Sequence, residues 1–532
     1  MQFVQSVVKK TVLHRPDRLD TESDKYFTTD HLRDNLAGRS FQGAVVILAG
    51  QAVTFLLGLF STAVMARLLH PQDFGLVAMV TSITAFAGLF KDLGLSNATV
   101  QRSQITDAQV SFLFWVNVAL SLMVTLIIIA LAPVIAWFYH EPRLLAITCT
   151  LSLNFIFSGL TVQHQALLRR QMRFSVLALR NINASVCGIV IGIALAWCGF
   201  GYWSIVAALF STNLINCVLV WTVCEWRPSA FRLRVGARPM LAFGGNFAAF
   251  NILNYLTRNF DNILIGRVLG SGPLGIYSKA YGLLMLPIAQ VNQPMATVLL
   301  AGLSRLQGDA KEYADLFMKA VRGIALLTIP IVIFCFFFST DVVLVLLGRR
   351  WLPVAPVFQF LAPAALFGAI SFVPGWLCQS LGRTRRQFHY ALVSAPVCVT
   401  GFLIGIKWGI TGVAISFSIA FSILFCAYVW YASQDSPVRF LDICVVFFSV
   451  LFPALAAGSI TCSVRYLLAT RFGPIPSLLT YGCLFIAIYV TAVLLSQANR
   501  VLVLSAMAWL RTAVGAFWLR NKLPSSSTSQ SC

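Results

Sequence analysis

Two otherwise apolar stretches of the sequence carry polar residues at helical spacing. The stripe in the seventh apolar stretch consists of Asn251, Asn254, Arg258 and Asp261. The stripe in the first stretch consists of Gln51, Thr54, Gly58 and Ser61. Because residues three or four positions apart lie on one side of an α-helix, each set forms a polar face. A charge inside a membrane costs about 3 kcal/mol, so these faces are expected to line a wet central cavity rather than to contact lipid.

The charged residues near these stretches leave two interpretations open. Arg258 and Asp261 either line the cavity or pair with each other, since they are three residues apart. Lys91 and Asp92 form either a local ion pair or part of a site, and Lys91 is long enough to reach the headgroups. Lys279 either adds positive charge to the cavity or anchors its helix at the outer leaflet. The carboxylates are the candidate groups for binding a proton or a sodium ion.

The composition of the chain determines its broad class. Of its 532 residues, 58% are hydrophobic and 11% are charged, and the mean hydropathy is +0.81. Soluble domains carry about 25% charged residues, so a soluble enzyme, a disordered chain and a small disulfide scaffold are excluded. The apolar residues also form long blocks, which is typical of membrane-spanning helices. We therefore predict an all-α integral membrane protein.

Fourteen apolar blocks are long enough to cross a bilayer as helices. The blocks and the polar segments between them divide the chain into six regions. These are a polar N-terminal segment (1–43), a six-helix lobe (44–224), a basic linker (225–239), a second six-helix lobe (240–432), two extra helices (440–497) and a basic tail (499–532).

The distribution of positive charge predicts the orientation in the membrane. Most of the 39 Lys and Arg residues lie in the N-terminal segment, in alternate loops and in the tail, with Arg180 and Arg322 counted at helix ends. Cytoplasmic segments carry the excess of Lys and Arg, so both termini are predicted to be cytoplasmic. Basic amphipathic patterns near both ends predict interfacial helices on anionic lipid headgroups. The net charge of +21 is therefore assigned to the membrane surface and not to nucleic acid.

The sequence contains a weak internal repeat. A shift of 200 residues superposes the first span on the seventh, and it places Arg67 on Arg267 and Gly75 on Gly275. Six spans per repeat make the two lobes parallel, as in transporters whose halves rock about a central site. The coincident residues lie at the outer corners of the helices, where structural turn residues are expected more than ligands.

Motifs for other chemistries are absent from the sequence. The 13 cysteines include no C-x-x-C pair and the six histidines lack metal-ligand spacing, so no metal site is predicted. The G-x-G-x-x-G match at residues 270–275 joins two membrane helices and follows no strand, and no P-loop is present. No connecting loop is long enough to fold as a catalytic domain. We expect a transporter without a cofactor, not an enzyme.

Several motifs in the chain resemble those of one group of bacterial membrane proteins. They are Ala66 to Gly75, Asp92 to Ser96, Asn254 to Gly266, Leu274 to Tyr277, Leu303 to Gln307, Trp351 to Pro353 and Leu381 to Thr384. Together they are similar to the motifs of Wzx-type polysaccharide and lipopolysaccharide exporters, particularly the colanic-acid exporter-like branch. That family belongs to the multidrug/oligosaccharidyl-lipid/polysaccharide flippase superfamily.

The resemblance implies a fourteen-helix, two-lobed fold in the bacterial inner membrane, like that of multidrug and toxin extruders. It implies that alternating access moves undecaprenyl-pyrophosphate-linked oligosaccharide units for exopolysaccharide or lipopolysaccharide biosynthesis. Arg258, and after it Lys279, are the implied contacts of the diphosphate, because a guanidinium fork suits phosphate oxygens. The implied sugar contacts are Gln51, Thr54, Asn251 and Asn254.

Other functions remain open on the sequence alone. A multidrug or small-solute antiporter of the same superfamily would share the fold, although the positive charge balance and the motifs favour the polysaccharide branch. A membrane glycosyltransferase or polymerase would need a loop with paired carboxylates, and the sequence has none. A non-transporting scaffold of a polysaccharide assembly complex is also consistent with these features. A polysaccharide polymerase and other assembly proteins are the partners expected in either case.

Overall fold

The computed structural model describes residues 27, 36–88, 96, 99–100, 105–231, 255, 259–468, 473–496 and 499–500. Within these ranges, all regular secondary structure is helical. Some predicted features lie outside the described residues: the segments proposed as interfacial helices at both ends, and Lys91, Asp92, Asn251, Asn254 and Arg258.

The chain divides into two compact units, residues 1–275 and 276–532. The helices of the first unit are α1 (Leu36–Leu68), α2 (Pro71–Ala87), α3 (Asp107–Tyr139), α4 (Arg143–Arg170), α5 (Phe174–Trp197), α6 (Tyr202–Val223) and α7 (residues 259–269). α3 packs along α4, α5 packs along both α1 and α6, and α4 also contacts α6. The first unit is therefore a helical bundle with α5 between α1 and α6.

Both ends of α3 are capped. The Gln109 N–H donates to the Thr106 hydroxyl at 3.4 Å, and the Thr106 N–H donates to Gln109 Oε1 at 3.2 Å. This reciprocal pair satisfies two amides that the first helical turn leaves without partners. At the other end, His140 adopts the left-handed conformation with a φ of 57° and ends the helix. Arg143 then donates two hydrogen bonds, at 2.7 and 2.8 Å, to the Glu141 carboxylate.

α8 starts in the first unit and continues into the second, which contains the remaining helices. The helices are α8 (Ser271–Arg305), α9 (Ala310–Phe337), α10 (Ser339–Leu346), α11 (Val354–Ala369), α12 (Val373–Ser380), α13 (Thr384–Gly405), α14 (Gly409–Ser433), α15 (Phe440–Leu468) and α16 (Pro474–Leu495). Two apolar blocks that the sequence treats as single spans are interrupted, at Phe338 and at residues 370–372. At the second break, Pro374 lies in the first turn of α12 and has no N–H with which to continue α11.

Two arginines cap the C-terminal end of α14. Arg383 donates from Nη1 to the Gln434 carbonyl at 2.8 Å and from Nη2 to the Asp435 carbonyl at 2.7 Å. Arg386 donates to the same Gln434 carbonyl at 2.6 Å and pairs with the Asp435 carboxylate at 2.8 Å. The last carbonyls of a helix carry partial negative charge, so both guanidinium groups stabilise this end of α14. The motif from Leu381 to Thr384 therefore contributes a structural arginine.

α15 and α16, the two helices that the sequence places outside the repeat, pack into the core of the second unit. The Phe334 ring of α9 lies 5.4 Å from the Phe485 ring of α16, centroid to centroid. The Tyr489 hydroxyl of α16 donates to the Leu326 carbonyl of α9 at 3.1 Å. One hydrophobic cluster joins α9, α15 and α16. The last two helices are consequently integral to this unit.

An ion pair fixes α15 to α10. Arg465 donates from Nη1 to Asp341 Oδ2 and from Nη2 to Asp341 Oδ1, the latter at 3.3 Å, and the Asp341 side chain is only 7% exposed. The guanidinium carbon also lies 5.7 Å from the Phe338 ring centroid and 5.9 Å from that of Tyr481. Two hydrogen bonds and two aromatic faces thus surround one positive charge.

Ten helices in the part of the chain that the structure describes are long and apolar enough to cross a membrane. Large apolar side chains cover their outer surfaces, and Trp197 and Leu467 are 82% and 80% exposed. Extended apolar surface of this kind is stable against lipid and not against water. The all-α integral membrane class predicted from composition is confirmed. The count of fourteen spans stays a prediction, because several predicted spans include residues outside the described ranges.

Candidate functional site

Two predicted repeat corners meet in the first unit, where α2 and α8 begin. Gly75 lies against Ser271, so that an ideal Cβ atom on Gly75 would be 1.7 Å from the Ser271 carbonyl oxygen. Gly275 lies against Pro71, and a Cβ atom there would be 1.9 Å from the Pro71 carbonyl oxygen. The 200-residue shift converts one contact into the other. The two equivalent corners therefore cross backbone to backbone, at a separation that only glycine permits.

The arginines of the same two corners are both exposed. Arg67 lies at the end of α1, and Arg267 lies near the end of α7. The Arg267 guanidinium carbon lies 5.7 Å from the centroid of the Phe138 ring at the end of α3. Beside it, a Cβ atom on Gly266 would be 2.8 Å from the Tyr139 ring. The stacking of Arg267 on α3 is consistent with the structural role expected for this corner.

Two described residues of the seventh span, Tyr255 and Asp261, are packed within the first unit. The Tyr255 hydroxyl donates to the Ser82 carbonyl at 2.7 Å, and its ring lies 5.9 Å from that of Phe86. Asp261 is 3% exposed, and its Oδ1 accepts a hydrogen bond from the Asn262 backbone N–H at 2.8 Å. A carboxylate buried to this extent needs hydrogen-bond donors. Asp261 therefore lies inside the helix packing of the first unit.

The polar face of α1 remains open at its centre. Thr54 is exposed, and its hydroxyl donates to the Gly50 carbonyl at 2.8 Å. Gln51 is half-buried, and its Oε1 has no hydrogen-bond partner among the described residues. A Cβ atom on Gly58 would meet no atom within 4 Å. Lys279, the other described candidate, lies in α8 of the second unit and is half-buried.

A further polar cluster lies near the start of α5, and the sequence does not predict it as a site. Arg180 is 4% exposed and donates from Nη2 to Asn181 Oδ1 at 2.9 Å. Asn216 of α6 donates from Nδ2 to the same Asn181 oxygen at 3.4 Å. The positive-inside count treats Arg180 as one of many charges at cytoplasmic helix ends, so nothing in that count distinguishes it. The adjacent Arg-Asn pair within an apolar block is the signal that could have found it.

Hydroxyl groups between α3 and α4 serve helix packing. The Thr125 hydroxyl donates to the Ser121 carbonyl at 2.8 Å and to the Ser152 carbonyl of α4 at 3.2 Å. A Cβ atom on Gly159 would be 2.5 Å from the Ser121 hydroxyl oxygen. Small and hydroxyl residues let membrane helices approach closely. These residues account for the close contact of α3 with α4.

The first residues of the predicted basic linker are docked on α3. Trp226 donates from Nε1 to Asp107 Oδ1 at 2.7 Å. The Ser229 N–H donates to the Ser111 hydroxyl at 2.9 Å, and the Ser229 carbonyl accepts from Trp115 Nε1 at 2.9 Å. The first part of the linker, up to residue 229, is therefore held along the side of α3.

The candidate site consists of guanidinium, carboxamide and hydroxyl groups. No group of three or more His, Cys, Asp or Glu side chains that could hold a metal ion occurs within the described ranges. The cysteines in those ranges are free thiols. Guanidinium and carboxamide groups bind ligands through charge and hydrogen bonds, and both suit anions and hydroxyl-rich molecules.

Comparison with known protein families assigns the chain to one family. A family profile described as “Polysaccharide biosynthesis protein” matches residues 64–356, more than half of the chain. The chain belongs to this family. The matched segment includes both glycine corners, the α1/α5/α6 bundle from residue 64 onward and the interruption at Phe338 in the second unit.

Individual relatives agree with the assignment to the polysaccharide biosynthesis family. The lipopolysaccharide biosynthesis protein WzxC of Escherichia coli strain K12 is 25% identical over 381 residues, which cover 70% of this chain and 75% of the relative. The succinoglycan biosynthesis transport protein ExoT of Rhizobium meliloti strain 1021 is 26% identical over 462 residues, which cover 84% of this chain and 91% of the relative. The resemblance of the motifs to Wzx-type exporters is confirmed.

A solved structure shows the same fold. The lipid II flippase MurJ, in an inward closed conformation, superposes with a TM-score of 0.69 at 15% sequence identity. The superposition covers 85% of this chain and 98% of MurJ. This member of the polysaccharide biosynthesis family therefore shares the fold of MurJ, which confirms the all-α membrane class predicted from the sequence.

Proposed function

We propose that this chain is a flippase that moves polyprenyl-pyrophosphate-linked oligosaccharide units across a bacterial inner membrane for exopolysaccharide or lipopolysaccharide biosynthesis. The observation that carries the proposal is the family match over residues 64–356. Two similar proteins support transport of a lipid-linked glycan as the activity. ExoT is named as a transport protein of succinoglycan biosynthesis, and MurJ is named as a lipid II flippase.

The chemistry of the first unit suits such a cargo. A diphosphate needs positive charge inside the protein, a glycan needs hydrogen-bonding walls, and a polyprenyl tail can stay in lipid. The first unit buries Arg180 within apolar helices and presents Gln51 and Thr54 on α1. Guanidinium groups bind phosphate oxygens through paired donors, and carboxamides bind sugar hydroxyls.

The proposed mechanism is alternating access between two lobes. In this proposal the lobes are residues 44–224 and 240–432, the segment 225–239 connects them, and both termini face the cytoplasm. Parallel repeats support such a mechanism in other transporters, because equivalent halves can tilt about a site held between them. A lipid-linked oligosaccharide is the proposed partner, together with a polysaccharide polymerase that would receive the transported unit.

The residues predicted from the sequence keep their proposed roles. Arg258 is the first proposed contact of the diphosphate, and Lys279 is the second. The proposed sugar contacts are Gln51, Thr54, Asn251 and Asn254. The groups proposed either as ion pairs or as sites for a coupling ion are Asp261, Lys91 and Asp92.

Reconstitution into liposomes tests the proposal. Purified protein is incorporated into vesicles that contain a polyprenyl-diphosphate oligosaccharide, and a membrane-impermeant lectin measures how fast the glycan reaches the opposite leaflet. We expect Arg258→Ala to lower this rate by about tenfold or more, since hydrogen bonds to a charged group contribute about 1.5–3 kcal/mol. The matched control is Arg143→Ala, which removes an exposed arginine whose side chain is 48% accessible.

The outcomes separate the function from the site. If the wild-type protein leaves the glycan on its original leaflet but exchanges a cationic dye for protons or sodium ions, the chain is a small-solute antiporter. If the wild-type protein moves the glycan and Arg258→Ala moves it equally fast, the function stands and the assignment of Arg258 is wrong.

A further inference from the structure

Arg180 is a buried cation whose donors are only partly used. Its side chain is 4% exposed, and its Nη2 donates to Asn181 Oδ1 at 2.9 Å. Its Nε and Nη1 atoms are buried and have no hydrogen-bond partner in the described part of the chain. The nearby Arg169 repels the charge of Arg180 and does not neutralise it. A guanidinium in such surroundings retains donors for a ligand.

Two other arginines that face the helix packing are used differently. The partly exposed Arg465 pairs with the buried Asp341 carboxylate. Arg170 donates to the backbone carbonyls of Thr99 and Phe27, at 3.3 and 3.1 Å. A charge within a membrane helix is costly unless it is paired or contacts water or substrate. Since no carboxylate pairs with Arg180 within the described ranges, helix packing alone does not explain its position.

Carboxamide groups from three helices surround this part of the first unit. Asn216 of α6 donates to Asn181 Oδ1 at 3.4 Å, and its own Oδ1 is buried without a partner among the residues described. α1 reaches α5 at the same level, where a Cβ atom on Gly50 would be 2.9 Å from the Ala178 Cβ. The next residue along α1 is Gln51, whose Oε1 is likewise buried and unbonded in the described structure. On adjacent helices, two donor atoms of Arg180 and the carboxamide oxygens of Gln51 and Asn216 thus have no hydrogen-bond partner among the described residues.

We infer that Arg180, together with Asn216 and Gln51, binds an anionic group that is flanked by sugar hydroxyls. The guanidinium provides two free donors for the anion, and the carboxamide oxygens accept hydrogen bonds from hydroxyls. A neutral sugar would leave the cation uncompensated, whereas a simple anion would leave the carboxamide oxygens without donors. The inference rests on the proposed function and specifies one further contact of the same cargo.

Two parts of a lipid-linked oligosaccharide have this chemistry. One is the sugar phosphate at which the glycan joins the lipid carrier. The other is a sugar that bears its own carboxylate, such as a uronic acid. Both present an anion beside hydroxyl groups, and they differ in whether the anion belongs to every substrate or only to acidic glycans.

Transport of two matched substrates tests the contact and identifies its source. Vesicles contain the same polyprenyl-diphosphate oligosaccharide either with a neutral terminal sugar or with the corresponding uronic acid. Arg180→Met keeps the length of the side chain and removes the charge. We expect it to slow transport by about tenfold or more, as loss of charged hydrogen bonds implies. Slowing of both substrates assigns the contact to the sugar phosphate, and slowing of the acidic substrate alone assigns it to the uronic acid.

Matched variants and a binding measurement keep the result decisive. Arg169→Met removes an exposed neighbouring charge and is expected to retain transport of both substrates. Without ligand, Arg180→Met is expected to unfold at the wild-type temperature or above it, because it removes a buried uncompensated charge. A short-chain polyprenyl-diphosphate glycan that bears the uronic acid should raise the melting temperature of the wild type and not that of Arg180→Met.

The inference is overturned if Arg180→Met transports both substrates at the wild-type rate, or if the glycan stabilises wild type and variant equally. A lower melting temperature of the ligand-free variant, with an unchanged shift on ligand addition, would show that Arg180 is structural. If the wild type transports neither substrate, the proposed function fails instead, and the melting shift still reports on Arg180.

Discussion

The crossing of the two glycine corners gives a quantitative prediction for Gly75→Ala. An alanine Cβ atom at this position would lie 1.7 Å from the Ser271 carbonyl oxygen, whereas real Cβ contacts stay above 3.0 Å. The helix starts would have to separate by more than about 1 Å, and because the neighbouring atoms are backbone, no side-chain rotation relieves the clash. Overpacking of this kind costs about 1–3 kcal/mol, and we expect a value near the upper limit.

Thermal unfolding in detergent measures this cost. For a unit of roughly 250 residues, a destabilisation of about 3 kcal/mol lowers Tm by roughly 6–12 °C. Gly58→Ala is the matched control, since its new Cβ atom would meet nothing within 4 Å and alanine favours the helix. The double variant with Gly275→Ala should lose less than the sum of both single losses, because the first substitution already separates the shared crossing. If Gly75→Ala unfolds at the same temperature as Gly58→Ala, the close backbone contact does not exist.

Three further perturbations follow from other contacts. Asp341→Asn removes the counter-charge of Arg465, whose side chain is 39% exposed, so we expect about 1–2 kcal/mol of destabilisation in thermal or denaturant unfolding; an unchanged Tm would contradict a stabilising ion pair. Trp226→Phe removes the 2.7 Å hydrogen bond to Asp107 and should cost about 1 kcal/mol, visible as faster proteolysis within the segment 225–239; equal cleavage rates would argue against docking. A hydrogen bond from Arg143 lowers the pKa of Glu141. The contribution of this pair to the free energy of unfolding is therefore present at neutral pH and is lost as the pH falls through that lowered pKa. Glu141→Gln should therefore lower Tm slightly at pH 7 and not at all in acid, and a constant difference would refute this.

The class of the fold could be predicted from the sequence because lipid imposes a simple rule on every span. Twenty or so apolar residues must be helical in a bilayer, so composition and block length suffice. The internal repeat is also visible in the structure. The 200-residue shift that aligns Gly75 with Gly275 also relates their two contacts, since Gly75 lies against Ser271 and Gly275 lies against Pro71.

Finer features of the fold depend on tertiary contacts and could not be predicted. Hydropathy continues unbroken across Phe338, although α9 ends there and α10 starts. The acid that pairs with Arg465 lies 124 positions earlier in the chain, at Asp341, and no local pattern relates the two. The partial docking of the predicted linker likewise depends on Asp107 and Ser111 of α3, which are remote in sequence.

The candidate site was predicted only in part for a related reason. Helical spacing identifies a polar face, as it does for Gln51 and Thr54, but it does not show which side chains are buried. Arg180 stands out only when its 4% exposure and its unfilled donors are known. A count of positive charges assigns the same weight to Arg180 and to the exposed Arg169, because orientation rules concern sequence position and not surroundings.

The ion pair between α10 and α15 restricts how relatives of this protein can exchange segments by recombination. A chain joined from two parents after Ser433 would take position 341 from one parent and position 465 from the other. Unless both parents carry the acid and the base there, the hybrid leaves either the buried Asp341 or the partly exposed Arg465 without its counter-charge. The final helix pair is therefore inherited together with α10, and a viable crossover lies before Ser339 and not at the apparent boundary after α14.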